Sequence, residues 1–144
     1  MVNHQKAISQ AKHLASIKKK LLVNEAMVHV KNENYHKAMY LYNKALDLEP
    51  NDNNALIARS KCHLLLGEPQ KALQDAENAL QYKMKNVSMA NAIYCKAEAL
   101  YCIGDFEMSL VYYYRGMGIR PEYEQFRLGV QKAKNAIQNI LRKN

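Results

Sequence analysis

Apolar and small residues recur at three- and four-residue spacing through most of this chain. The pattern is interrupted only where Gly, Pro or Asn gathers. The clearest stretch is the 34 residues from Asn53 to Asn86, in which two such runs flank Gly67-Glu68-Pro69. Gly67 suits a helix end that needs a left-handed residue. Pro69 suits the first turn of the next helix, where a missing N–H costs nothing. The stretch therefore predicts a helical hairpin over 53–66 and 69–82. Small side chains at Ser60, Ala72, Ala76 and Ala79 would let its two helices approach closely.

The pattern repeats on both sides. Ala26, Tyr35, Ala38, Tyr42, Ala45 and Pro50 precede Ser60, Pro69, Ala72, Ala76, Ala79 and Met84 by 34 positions. Ala97, Gly104, Phe106, Ser109, Tyr113, Gly116 and Pro121 follow Ser60, Gly67, Pro69, Ala72, Ala76, Ala79 and Met84 by 37, after a three-residue insertion at Val87-Ser88-Met89. A period of 34 with small residue, turn, Ala, aromatic, Ala and Pro in that order resembles the tetratricopeptide repeat. The resemblance implies an all-α superhelix of three helical hairpins plus a C-terminal capping helix.

The expected units are a basic, partly helical N-terminal segment over 1–19, repeats over 20–52, 53–86 and 87–121, and a capping helix over 122–144. The N-terminal segment carries a loose apolar stripe of Ala7, Ile8, Ala11, Leu14 and Ala15. With no Gly or Pro before Pro50, a helix can run far upstream of the first repeat. The first hairpin, 20–32 and 35–48, turns at Asn32-Glu33-Asn34, where Asn is expected to take the left-handed conformation. The third should run to Ile103 and from Phe106 to Met117. Gly116 stands at a place where Ala is usual. Pro121 is expected to open the last helix, whose stripe Phe126, Val130, Ala133, Ile137, Ile140 and Leu141 would close the open end of the stack.

Composition narrows the function. No apolar run approaches the ~18 residues of a membrane helix, and the polar start is not a secretory signal. Cys62, Cys95 and Cys102 form no CxxC. An odd count fits a reducing compartment and three buried free thiols, and a cytosolic chain would leave the Asn86-Val87-Ser88 sequon unused. The net charge of +8 sits at the ends: the first 24 residues carry +5 and the last 20 carry +5, leaving the middle at −2. Lys18, Lys19 and Lys20, with Arg127, Lys132 and Lys134, are the basic candidates. Acidic surfaces would attract them within a Debye length, about 8–10 Å.

No catalytic constellation appears: no HExxH, GxSxG or P-loop. His29 and His63 lie one period apart at positions that pack between helices, which suits core histidines. Tyr112, Tyr113 and Tyr114 would point three ways from one helix, with Tyr113 in the core. No enzyme, cofactor, metal or nucleic-acid role is expected, and the functional surface should be the concave wall lined by the first helix of each hairpin. The groove candidates there are Val23, Asn24, Met27 and Lys31; Ile57, Ala58, Lys61 and Leu65; then Asn91, Tyr94, Cys95, Glu98 and Cys102. Such a mixed apolar and polar wall suits a helix or an extended peptide. Chaperone-adaptor repeats clamp a C-terminal carboxylate with Lys, Asn and Arg. Here those positions hold Val23, Met27, Ala58, Asn91 and Cys95, so no clamp is expected.

Finer motifs carry a closer resemblance. Ala58-Arg59-Ser60-Lys61-Cys62, Lys96-Ala97-Glu98, Gly104-Asp105-Phe106-Glu107, Arg115-Gly116, Arg120-Pro121 and Phe126-Arg127 with Gly129-Val130-Gln131-Lys132-Ala133 resemble the tetratricopeptide-repeat subunit of the outer dynein arm docking complex. Arg115, Arg127 and Gln131 are not demanded by the repeat fold. The resemblance spans about Leu22 to Ile140. It implies a non-enzymatic scaffold in the cytoskeleton of the cilium or flagellar axoneme, with coiled-coil docking-complex subunits, dynein or the microtubule surface as partners. A general peptide-binding adaptor without the carboxylate clamp is the alternative.

Overall fold

The computed structural model describes residues 2–143, and all regular structure in them is helical: α1 (Val2–Lys31), α2 (Tyr35–Leu48), α3 (Asn53–Leu65), α4 (Pro69–Leu80), α5 (Asn86–Ile103), α6 (Phe106–Ile119) and α7 (Glu124–Lys143). α1 pairs with α2, α3 with α4 and α5 with α6, and α7 packs on α6. α3 also packs on α5, and α5 touches α7, whereas the even-numbered helices make no comparable contacts with one another. α2 on α3 and α4 on α5 join successive hairpins, and from α3 onwards the odd-numbered helices form the closer layer, so they line the inner wall of the stack. No described helix is long and apolar enough to cross a membrane.

Small residues set the spacing. Ala26, Ala38, Ala45, Ala72, Ala76, Ala79, Ala97 and Ser60 are all fully buried where helices meet. In the middle hairpin the backbones come close enough for the Ser60 hydroxyl to donate to the Ala72 carbonyl at 2.7 Å. The core runs as three clusters that bridge successive hairpins. Ala38, Leu41 and Tyr42 meet Cys62; Leu46 and Ile57 meet Ala92 and Cys95; Ile93 and Tyr113 meet Phe126 and Val130.

The turns depart from expectation at two places. In the first hairpin Glu33, not an asparagine, takes the left-handed conformation, with φ 61°. It lies one period before Gly67, which has φ 74°, so the register of the stack outweighs residue preference. At the other end, Pro121 does not open a helix. The Arg120 N–H closes α6 on the Gly116 carbonyl, and the Tyr123 N–H donates to the Arg120 carbonyl at 3.1 Å. Pro121 and Glu122 thus sit in a turn, and α7 starts at Glu124. Two helices are capped by a carboxylate: Asp52 accepts from the Asn54 N–H and Asp105 from the Met108 N–H. The insertion Val87-Ser88-Met89 forms the first turn of α5, which leaves the stacked face in phase.

Gly116 has a role that composition alone conceals. A Cβ built there would stand 2.1 Å from the Phe126 ring, and one built at Gly129 would stand 2.3 Å from the Tyr113 ring. Each ring is fully buried. The two glycines are the seats into which α6 and α7 press an aromatic ring of the other.

Candidate partner-binding groove

Four side chains one period apart form a column across the inner wall: Met27 on α1, Lys61 on α3, Glu98 on α5 and Lys132 on α7. Met27 and Lys61 are exposed. Glu98 and Lys132 face each other at 2.8 Å, and the Tyr113 hydroxyl also donates to Glu98. The Lys132 ammonium lies 4.5 Å from the centre of the Tyr101 ring. Glu98 is thus neutralised within the wall. Lys31 and Lys61 have no carboxylate within ion-pair distance among the described residues, so the free charge of the groove is positive.

The remaining candidates divide by exposure. Asn24, Lys31 and Leu65 are exposed; Asn91, Tyr94 and Ala58 are half-buried. Val23 is half-buried and packs on the two clusters beneath α1. Ile57 and Cys95 do not face the groove: both are buried in the middle cluster, because their side of each helix turns onto the neighbouring hairpin. Tyr94 lies edge-on to Phe126 at 5.8 Å and inclined to Tyr113 at 6.3 Å. Burial and the nearby Glu98 carboxylate push its hydroxyl up to about 12. Burial pushes Cys95 up to about 11, and the Cys62 thiol is also raised by burial. Protonated, enclosed thiols are poor nucleophiles. Cys102 was expected to be buried and is exposed instead, beside the turn that ends α5.

The basic ends are less free than their composition suggested. Lys19 bridges Glu49 at 2.7 Å and Asp52 at 3.0 Å, and those bonds raise its pKa, which burial tends to lower. Lys132 belongs to the groove, Arg127 reaches Glu124 at 3.4 Å, and Lys134 lies over the Tyr114 ring at 5.6 Å. Lys18 and Lys20 remain exposed on α1.

His63, buried as expected, belongs to a polar network behind the wall. Asp75 is enclosed and receives two bonds from Arg59, Nε at 2.7 Å and Nη2 at 2.8 Å, while the same guanidinium donates to Asn43 at 3.0 Å. His63 lies 3.5 Å from both Asp75 and Glu68. The paired carboxylate raises the pKa of Arg59. This network pins α2, α3 and α4 together, and its donors are already engaged. Among the described residues no group of three or more His, Cys, Asp or Glu side chains could hold a metal ion. Lys132 and Tyr101 were missed as groove residues, although Lys132 follows Glu98 by one period.

This architecture defines a class. Residues 31–113 match the family model described as "Anaphase-promoting complex, cyclosome, subunit 3". The structure also superimposes with a TM-score of 0.79 on the first tetratricopeptide domain of Spaghetti (RPAP3) bound to an HSP90 peptide, SRMEEVD, at 20% identity, over 85% of this chain and 95% of that one. The chain belongs to the tetratricopeptide-repeat family. Within that class its relatives are specific. It is 52% identical over 110 residues to outer dynein arm-docking complex subunit 4 of Xenopus laevis, and 46% identical over 105 residues to the protein of that name in Homo sapiens. Each match covers 73% of this chain. The chain spans 20% of the frog protein's length and 15% of the human one's.

Proposed function

We propose that this chain is a non-catalytic docking scaffold of the ciliary or flagellar axoneme, which helps to fix outer dynein arms to doublet microtubules by holding a helical segment of a coiled-coil docking-complex partner in its groove. The 52% identity to a docking-complex subunit across the repeats is the observation that carries this reading. Two features of the site support it. The groove offers exposed Met27 and Leu65 between the unpaired cations Lys31 and Lys61, a surface for an amphipathic helix with acidic edges. Glu98, the one carboxylate among the groove candidates, is already bonded to Lys132, and the Cys95 thiol is enclosed, an arrangement that suits recognition rather than chemistry.

The Spaghetti domain binds an HSP90 peptide, which raises the alternative of a chaperone-type adaptor. Here the carboxylate-clamp positions hold Val23, Met27, Ala58, Asn91 and Cys95, none of them charged and Cys95 buried, so a peptide carboxylate would meet no cation there. The test is a binding assay with purified docking-complex subunits. The wild-type chain should retain one of them, and Lys61→Glu combined with Leu65→Glu should lose it while keeping full helicity. No retention by wild-type protein, or retention unaffected by the two substitutions, would refute the reading.

A further inference from the structure

α1 is about 45 Å long by its 30 residues, whereas α2 spans about 21 Å. The Lys19 bridges to Glu49 and Asp52 mark the level at which α2 ends. Residues 3–14 therefore stand clear of the hairpin, every side chain among them exposed, while Ala15 and Ser16 are half-buried where the helix meets it. One face of α1, through Leu22, Val23, Ala26 and Val30, is committed to the core. The opposite side carries a second regular pattern. Ala7, Leu14, Leu21 and Val28 follow one another at intervals of seven, with Gln10, Ile17 and Asn24 three residues after the first three of them. These are the a and d positions of a heptad seam. The large apolar ones are open to solvent: Leu14 at 65%, Ile17 at 43%, Leu21 at 64% and Val28 at 55%.

We infer that this seam is a docking surface for one helix of a partner protein, with acidic residues along its flanks, paired to α1 as a coiled coil. The occupant is read from the charge at the seam's edges. The flanking e and g positions include Lys6, His13, Lys18 and Lys20, and Glu25 is the one acid among them. Glutamates on an incoming helix would meet these cations, as e and g pairs do in coiled coils. A second copy of this chain would bring together two edges of the same net positive sign, with Lys20 and Glu25 as the one opposite-charge pair of a parallel arrangement and His13 set beside Lys18. An anionic bilayer would bury Gln10 and Asn24 among acyl chains with nothing to bond them, whereas across a helix pair such polar positions find partners and set the register. At its C-terminal end the seam reaches the edge of the groove, since Lys31 stands at the d position after Asn24 and Met27 at a g position. Its part from Ala7 to Leu21 precedes every groove candidate on α1, and the inference rests on that part and does not depend on the groove reading.

The experiment titrates the full chain with two synthetic four-heptad peptides, both with Ile and Leu at a and d. One carries Glu at e and g, the other Lys. The acidic peptide should bind and the basic one should not, and raising the salt from low to high should weaken binding at least tenfold. Leu14→Asp with Leu21→Asp should abolish binding with the melting curve of the stack unchanged, since neither side chain enters the core. Lys6→Glu, Lys18→Glu and Lys20→Glu together should switch preference to the basic peptide, an exchange that general destabilisation would not produce. Lys61→Glu, which tests the groove, should leave peptide binding intact. Equal binding of both peptides, self-association abolished by Leu14→Asp, or adsorption to phosphatidylserine vesicles with no peptide binding would each overturn the inference.

Discussion

Gly116→Ala tests the packing of α6 against α7 by setting two known effects against each other. In an unconstrained helix the change would stabilise by up to about 1 kcal/mol, because Ala loses less backbone entropy. Here the new Cβ would stand 2.1, 2.3 and 2.5 Å from Cε1, Cδ1 and Cζ of Phe126. Ordinary carbon contacts are about 3.5–4.0 Å, so the ring would have to withdraw by roughly 1.5 Å. It has little room to do so: Phe126 is fully buried, stacked on Tyr123 at 6.3 Å and edge-on to Tyr94 at 5.8 Å. Overpacking of this kind costs about 1–3 kcal/mol or more. The net expectation is a loss of about 1–2 kcal/mol and a fall in melting temperature of roughly 3–6 °C. Gly118, two residues on in the same helix, is the control. A Cβ there meets nothing within 4 Å, so Gly118→Ala should match or exceed wild type. Thermal melts followed by far-ultraviolet circular dichroism separate the two. A Gly116→Ala protein melting at or above wild type would refute the seating of Phe126.

The turns offer a reciprocal pair: Glu33→Gly should raise stability by roughly 0.5–1 kcal/mol by relieving a left-handed glutamate, and Gly67→Val should lower it by about 1–2 kcal/mol; unmoved melting midpoints would contradict the turn geometry. Asp75→Asn should cost about 3 kcal/mol, because it leaves the Arg59 guanidinium facing an uncharged partner in an enclosed site; a denaturant midpoint equal to wild type would show that the pair contributes nothing. A thiol reagent should label one cysteine quickly and two only on unfolding, and Cys102→Ser should remove the fast phase; fast labelling of Cys62 or Cys95 would contradict their burial. Tyr42 and Tyr94 are pushed from the usual 10.0 up to about 12, chiefly by burial, so the fold favours their neutral form. The stability this supplies is whole below pH 10 and is lost as pH rises through 12. Alkaline titration should therefore show their phenolate absorbance arriving together with loss of helix; ionisation of all ten tyrosines before the helix signal falls would contradict it.

The stack was legible because its spacing rests on residues that declare themselves. Ser60 and Ala72 are small for the reason inferred, and Gly67 and Gly104 turn with positive φ as expected. Glu33 was obscure because a rare backbone conformation can be imposed by the register of neighbouring helices, whatever residue occupies it. Gly116 was misread as a mere substitute for Ala because the ring it accommodates comes from α7, ten residues away across a turn. The groove was legible to within one helix face. Periodicity places a residue on a helix, but burial depends on how the next hairpin leans, and that moved Ile57 and Cys95 into the core. Charge counts overstated the basic ends because a count does not show that Lys19 and Lys132 already have partners.

The central claim, a repeat stack that docks dynein arms and catalyses nothing, is tested most directly by the position of a fluorescently tagged copy in a ciliated cell. The account predicts a signal running along the axoneme that remains after detergent extraction and disperses when Lys61 and Leu65 are both changed to Glu. A diffuse cytoplasmic signal, washed out by detergent in wild-type and variant alike, would contradict it.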